Sequence, residues 1–340
     1  MSAAFYTGSY GHCGEEGILR LHADFSTGTI SKMMGCPLAE CPSYLFMHPN
    51  GRILYAVREL TEEGAFFTFS VSDHSLTLLS TLPTLGKDPC YISLDESLQF
   101  LIIVNYSGST FCVYQLDDNG LPVSLTDHIC HIGSGPDSIR QEAAHPHCAI
   151  CRNGKVYVCD LGMDRVFCYQ LDRNTGKLTE SHRINAPSGS GPRHLLFPDA
   201  DPSLMYVAAE LSSEVLVYRL EEKGALLLQR ISTLPTYFRE KSTVAALKLN
   251  DDGTTLFVSN RGDDSIAAFR IQPDGLLELK CICKTGGKTP RDFSVFGNHL
   301  VVANQESNLI TVLEFDPDAY SLTLTPTSFP ALRPTLIMDV

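Results

Sequence analysis

Six times along the chain, a short run alternating between apolar and polar residues meets a polar turn and continues into a longer, more apolar run. The copies are PSYLFMHPNGRILYAVRE (42–59), PCYISLDESLQFLIIVNY (89–106), PHCAICRNGKVYVCDL (146–161), PRHLLFPDADPSLMYVAAE (192–210), TVAALKLNDDGTTLFVSNR (243–261) and PRDFSVFGNHLVVANQ (290–305). A period of two predicts strands, and turns of the Asn-Gly or Asp-Asp-Gly kind predict that each pair closes as a hairpin. A third strand follows, often ending near an aromatic: STFCVYQL, DRVFCYQL, SEVLVYRL and DSIAAFRI. A weaker fourth comes after it, as in GKLTESHRI and GLLELKCIC. A seventh copy is split. The chain ends in PTLIMDV (334–340), a first strand lacking its second, and begins with AFYTGSY (4–10), a second strand lacking its first.

Seven units of about 49 residues suit four-stranded propeller blades. One blade alone cannot bury both its faces, so the units are expected to close on one another. The pattern therefore predicts an all-β, seven-bladed β-propeller, one domain over residues 1–340, with one blade shared by the N- and C-terminal strands. No tryptophan occurs, so this is not the usual WD40 sequence type.

In such a blade, the start of the first strand lies beside the end of the second. The first-strand positions are Ser43, Cys90, His147, Arg193, Val244, Arg291 and Thr335, and the second-strand ends are Tyr10, Glu59, Tyr106, Leu161, Glu210, Arg261 and Gln305. Three arginines, a histidine and two glutamates among them are expensive to bury at a channel neck unless paired or bound to a ligand. Two readings stand at this point: a ligand site, or ion pairs that hold blades together, such as Glu210 with Arg193 or Arg261. His145 reads as a rim or turn residue.

Composition narrows the partners. The formal net charge of −13 argues against nucleic acid or an anionic membrane surface, both of which need a broad cationic face. MSAAFYTGSYGHCGEEG lacks the basic and apolar regions of a signal peptide, and no window approaches 18 uninterrupted apolar residues. A cytoplasmic protein with its twelve cysteines reduced is expected. Cys148-x-x-Cys151 beside His145 and His147 resembles a zinc motif only superficially, since residues three apart on a strand face opposite ways. No metal or other cofactor is expected. A closed ring leaves no sheet edge demanding a partner, so a monomer is expected.

FYTGSY, HPNGRILYAVRE, HPHCAICRNGKVYVCDLGMDRVFCYQLD, GPRHLLF, LFVSNRGDDSIAAF and TPRDF together resemble the lactonase family of seven-bladed propellers. That family includes bacterial 6-phosphogluconolactonases and a fungal carboxymuconate-lactonising enzyme. The resemblance spans essentially the whole chain and implies an active site of His147, Arg193, Glu210 and Arg261, all four of them among the six charged or histidine positions of the repeat register.

Lactone hydrolysis needs an activated water, an oxyanion stabiliser and a proton for the departing alkoxide. Water activation falls to His147 or Glu210, and oxyanion stabilisation to Arg261 or Arg193. Arg291 is expected to hold a substrate phosphate, and Tyr10, Glu59, Tyr106 and Gln305 to contact sugar hydroxyls. The implied reaction is 6-phosphogluconolactone hydrolysis in the pentose phosphate pathway. Its rivals are muconate lactonisation in the same pocket and a non-enzymatic binding propeller. A long third connection, Asp117 to Ala144, is expected to reshape the rim.

Overall fold

Strands account for nearly all the regular structure in the computed structural model, which describes residues 1–340. The chain begins with β1 (Ser2–Ser9), β2 (Ile18–Asp24) and β3 (Thr29–Cys36). Each later sheet uses four consecutive strands. These are β4 (Leu45–Met47), β5 (Ile53–Arg58), β6 (Ala65–Val71) and β7 (Leu76–Pro83), then β8 (Pro89–Leu94), β9 (Phe100–Asn105), β10 (Thr110–Leu116) and β11 (Pro122–Cys130). Next come β12 (Pro146–Arg152), β13 (Lys155–Asp160), β14 (Arg165–Leu171) and β15 (Leu178–Asn185), then β16 (Pro192–Leu196), β17 (Leu204–Ala209), β18 (Glu214–Glu221) and β19 (Gly224–Ser232). The last two sheets are β20 (Thr243–Leu249), β21 (Thr255–Arg261), β22 (Ser265–Ile271), β23 (Leu277–Lys284), and β24 (Pro290–Phe296), β25 (His299–Asn304), β26 (Leu309–Asp316), β27 (Ser321–Pro330). Finally β28 (Pro334–Asp339) pairs antiparallel with β1, so the split copy is one sheet in the order β28-β1-β2-β3. No helix is long and apolar enough to cross a membrane.

Burial explains the sequence gradient across each sheet. Second strands such as β9 and β17 are buried at every residue and read as almost wholly apolar runs, whereas β7 exposes most of its residues and alternates weakly. The Asn153-Gly154 hairpin turns with φ of 53° and 71°, the conformation of a type I′ turn.

The chain divides into two compact units, residues 1–10, 18–35 and 194–340, and residues 11–17 and 36–193. In the second, Phe100, Phe111, Val158, Phe167 and Tyr169 form one buried cluster, and Tyr55, Phe66, Leu101 and Tyr114 belong to another. In the first, Val217, Val258 and Phe269 lie in one cluster, Phe257, Phe293 and Leu313 in a second, and Phe5, Val301 and Ile337 in a third. Each such side chain contributes about 1.5–3 kcal/mol by leaving water.

Two devices recur within these units. The residue before an opening proline is left-handed at Cys41, Asp88, Gly191, Thr289 and Arg333. Proline disfavours the right-handed helical region in its predecessor, so this conformation belongs to the architecture. The second device is a neutral latch. A buried threonine after a fourth strand meets an asparagine at or next to the end of the following sheet's second strand. Thr233 donates to Asn260 Oδ1 at 2.5 Å and Thr285 to Asn304 Oδ1 at 2.7 Å, while Asn105 Nδ2 donates to the Thr84 carbonyl at 3.0 Å.

Candidate functional site

Where first strand meets second, several sheets slip register. On β12 the slip falls between Pro146 and Cys148, which puts His147 in a β-bulge. Arg291 on β24 and Cys90 on β8 sit in the same kind of slip, between Pro290 and Asp292 and between Pro89 and Tyr91. A bulge re-aims its extra residue, so the side chain just after the opening proline leaves the regular alternation of its strand.

In the unit of residues 36–193, His147 is buried at 5% exposure and Tyr106, one residue beyond β9, meets its ring edge-on with centroids 5.6 Å apart. His145 is not on a rim. It is buried, stacks on Tyr106 at 4.4 Å and 12°, and places Nε2 3.1 Å from Glu142. Arg140 reaches the Tyr106 hydroxyl at 3.3 Å. Cys90 lies with its Sγ 4.0 Å from His147 Nδ1 and 3.4 Å from the His147 carbonyl. Ser43 donates to the Glu59 carboxylate, which joins two register positions of one sheet. Arg193, second residue of β16, is 2% exposed.

The long connection after Asp117 is only partly a loop, because β11 occupies its middle. The remainder, 131–145, is pinned from within. Gln141 donates through Nε2 to the Leu161 carbonyl and to Asp164 Oδ1, both at 2.8 Å, and Asp164 also accepts from the Gly189 and Gly191 amides at 2.6 and 2.8 Å.

In the unit containing residues 194–340, Glu210 follows β17 and Arg261 ends β21. Arg261 Nη2 donates to Glu210 Oε2 at 2.8 Å and to the Val244 carbonyl at 3.3 Å, while the Val244 amide donates to the Glu210 carbonyl at 3.2 Å. The ion pair anticipated as a purely structural alternative therefore exists, with the two side chains 16% and 2% exposed. It leaves one donor open: Arg261 Nε is buried and meets no acceptor within the protein. Buried polar groups are nearly always satisfied, so an open guanidinium N–H suits an anionic guest. Tyr10 has the Arg291 and Arg333 guanidinium carbons each 5.2 Å from its ring centre. Gln305 opens a 3-10 turn, donates to Glu306 at 2.8 Å, and keeps a buried Oε1 without a donor.

Thus the structure joins His147 with Tyr106, Glu210 with Arg261, and Tyr10 with Arg291. Repeat register missed Arg333, Cys90 as a neighbour of His147, and the Arg140–Tyr106 contact. Arg333 was findable, since it precedes Pro334 as Thr289 precedes Pro290. A cavity of about 570 Å³ lined by Arg58, Glu62, Glu63, Leu85 and Lys87 contains none of the candidate residues.

Residues 4–338 match the family described as "Lactonase, 7-bladed beta-propeller". A 6-phosphogluconolactonase of Bacillus subtilis (strain 168) is 31% identical over 342 residues, covering 98% of this chain and 97% of its own. A periplasmic gluconolactonase of Pseudomonas aeruginosa superposes with a TM-score of 0.92 at 27% identity, over 100% of this chain and 99% of its own. A protein from Lactobacillus plantarum gives 0.92 at 28% identity with both chains fully covered.

Proposed function

We propose that this chain, which belongs to the lactonase family of seven-bladed β-propellers, hydrolyses a sugar lactone and that its substrate is 6-phosphogluconolactone. Residues 1–340 act as one domain in this reading. The observation that carries it is the Glu210–Arg261 pair with its open, buried Nε–H. A tetrahedral intermediate of ester hydrolysis places negative charge on the former carbonyl oxygen, and a preorganised guanidinium donor stabilises that charge more than the neutral ground state. Glu210 fixes the guanidinium in place. With its Oε2 committed to Arg261, water activation falls to His147, whose imidazole is the residue type most often used as a general base. Arg193 supplies a second cation for the oxyanion, and the proton taken by His147 returns to the departing alkoxide.

The named relatives differ in whether the lactone carries a phosphate, which makes Arg291 the discriminating residue. Held against the Tyr10 face, it presents a planar fork suited to a phosphate dianion. Tyr106, Glu59 and Gln305 contact ring hydroxyls. The test is proton release in a pH-stat from the phosphorylated and unphosphorylated lactones, for wild type and Arg291→Gln. Preference for the phosphorylated lactone that collapses in the variant supports the assignment. Equal rates on both lactones in the wild type refute the phosphate.

A further inference from the structure

At the junction of β11 with β13, His131 and Asp160 take the two places of the neutral latch. The His131 amide donates to the Ser109 carbonyl as the Thr84, Thr233 and Thr285 amides donate to Gly64, Ser213 and Asp264. Asp160 ends β13 as Asn105 ends β9 and Asn304 ends β25. The fold thus closes three such junctions with uncharged side chains, whereas this one carries an ionisable pair. Asp160 is 0% and His131 5% exposed, so the exchange carries a desolvation cost. It occurs in the sheet that holds His147.

A carboxylate at this place differs from an asparagine in what it asks of His131. It is acceptor-only, and both its oxygens meet donors. Oδ1 accepts from the His145 amide at 2.9 Å and the Met163 amide at 3.1 Å, and Oδ2 accepts from His131 Nδ1 at 2.6 Å. An asparagine with its Oδ1 on the two amides would face His131 with its NH₂ group and oblige the imidazole to take the other tautomer. Since Pro146 has no N–H, the His145 amide is the last backbone donor ahead of the bulged His147. His131 is held in turn by Tyr169, whose hydroxyl lies 2.8 Å from Nε2, and by the Phe167 ring at 3.9 Å. Burial pushes the Tyr169 phenol well above its ordinary value, which keeps that hydroxyl a neutral donor.

We propose that Asp160 and His131 are positioning residues for His147. Their pair ties down the His145 amide, which sets both the bulge and the His145–Tyr106 stack on which the His147 ring rests. This inference depends on the reading of His147 as the lactonase base.

The test installs the protein's own neutral latch through the double variant His131→Thr/Asp160→Asn. The folded double variant is expected to lose roughly 10- to 100-fold in kcat with KM within about twofold, because a base is displaced while the binding groups stay. In ¹H–¹⁵N spectra the His147 imidazole signals should shift or broaden. A kcat equal to wild type with unmoved His147 signals overturns the proposal. His131→Asn, which keeps a neutral donor towards Asp160, asks the same question with less disturbance, and an unchanged kcat there also overturns it. If the wild-type protein hydrolyses no lactone, the lactonase reading fails on its own, and the His147 signals still decide whether the pair positions that ring.

Discussion

Gly162 lies in the turn after β13, and a Cβ added there would stand 1.9 Å from the Ala143 carbonyl oxygen and 2.8 Å from the His145 nitrogen. Real Cβ atoms essentially never come within 3.0 Å of such atoms, so Gly162→Ala requires the 143–145 backbone to retreat by about 1 Å. That backbone leads into His147. Overpacking of this kind costs about 1–3 kcal/mol of stability, and a 1 Å displacement of a reacting group costs on the order of 10²-fold in rate. The assay pairs kcat on the lactone with urea unfolding. Gly154→Ala is the control: it makes the same chemical change at the opposite end of the β12–β13 hairpin, where the nearest atom is 3.5 Å away. There, a backbone strain of about 1 kcal/mol is expected with kcat retained. A Gly162→Ala protein that loses stability while keeping kcat within threefold of wild type would refute the claim that the placement of this segment governs the site.

Three further outcomes follow from the same geometry. Arg261→Met should lower stability by about 3 kcal/mol by removing one charged partner of the buried Glu210 carboxylate and should cut kcat by about 10²–10³-fold; adding Glu210→Gln should recover part of the urea midpoint but not the rate. Burial pushes Tyr114, Tyr157 and Tyr206 up to about 12. Their folded pKa values exceed the unfolded ones, so the stability they contribute is complete below pH 10 and is lost as pH rises from about 10 towards 12, measurable as a falling urea midpoint alongside the 295 nm phenolate signal. Burial likewise pushes the Cys112 and Cys159 thiols up, so iodoacetamide at pH 8 should label exposed Cys13 and Cys130 and spare those two, read by peptide mass spectrometry.

The architecture was legible because a strand's period and a turn's chemistry are local. The six hairpins and the split seventh copy needed only alternation, Asn-Gly-type turns and the spacing between repeats. The two facing positions of each repeat could be listed for the same reason, since the hairpin spacing varies by only a few residues. What stayed hidden was not local. The bulges at His147, Arg291 and Cys90 come from one strand's slip against its partner, and no residue type announces them. His145 looked like a rim residue because its burial is supplied by Tyr106, 39 residues earlier. The His131–Asp160 pair could have been read as a departure from the Thr–Asn pattern, but only with the fourth strands aligned, and these are the weakest part of the repeat because they face solvent.

The most direct test of the account is the rate of hydrolysis of freshly prepared 6-phosphogluconolactone, corrected for its spontaneous decay, with wild type beside His147→Ala. Rapid turnover by the wild type that falls to the uncatalysed rate in the variant is the predicted result. A wild-type protein that leaves the decay unchanged, or a His147→Ala protein as active as its parent, would contradict it.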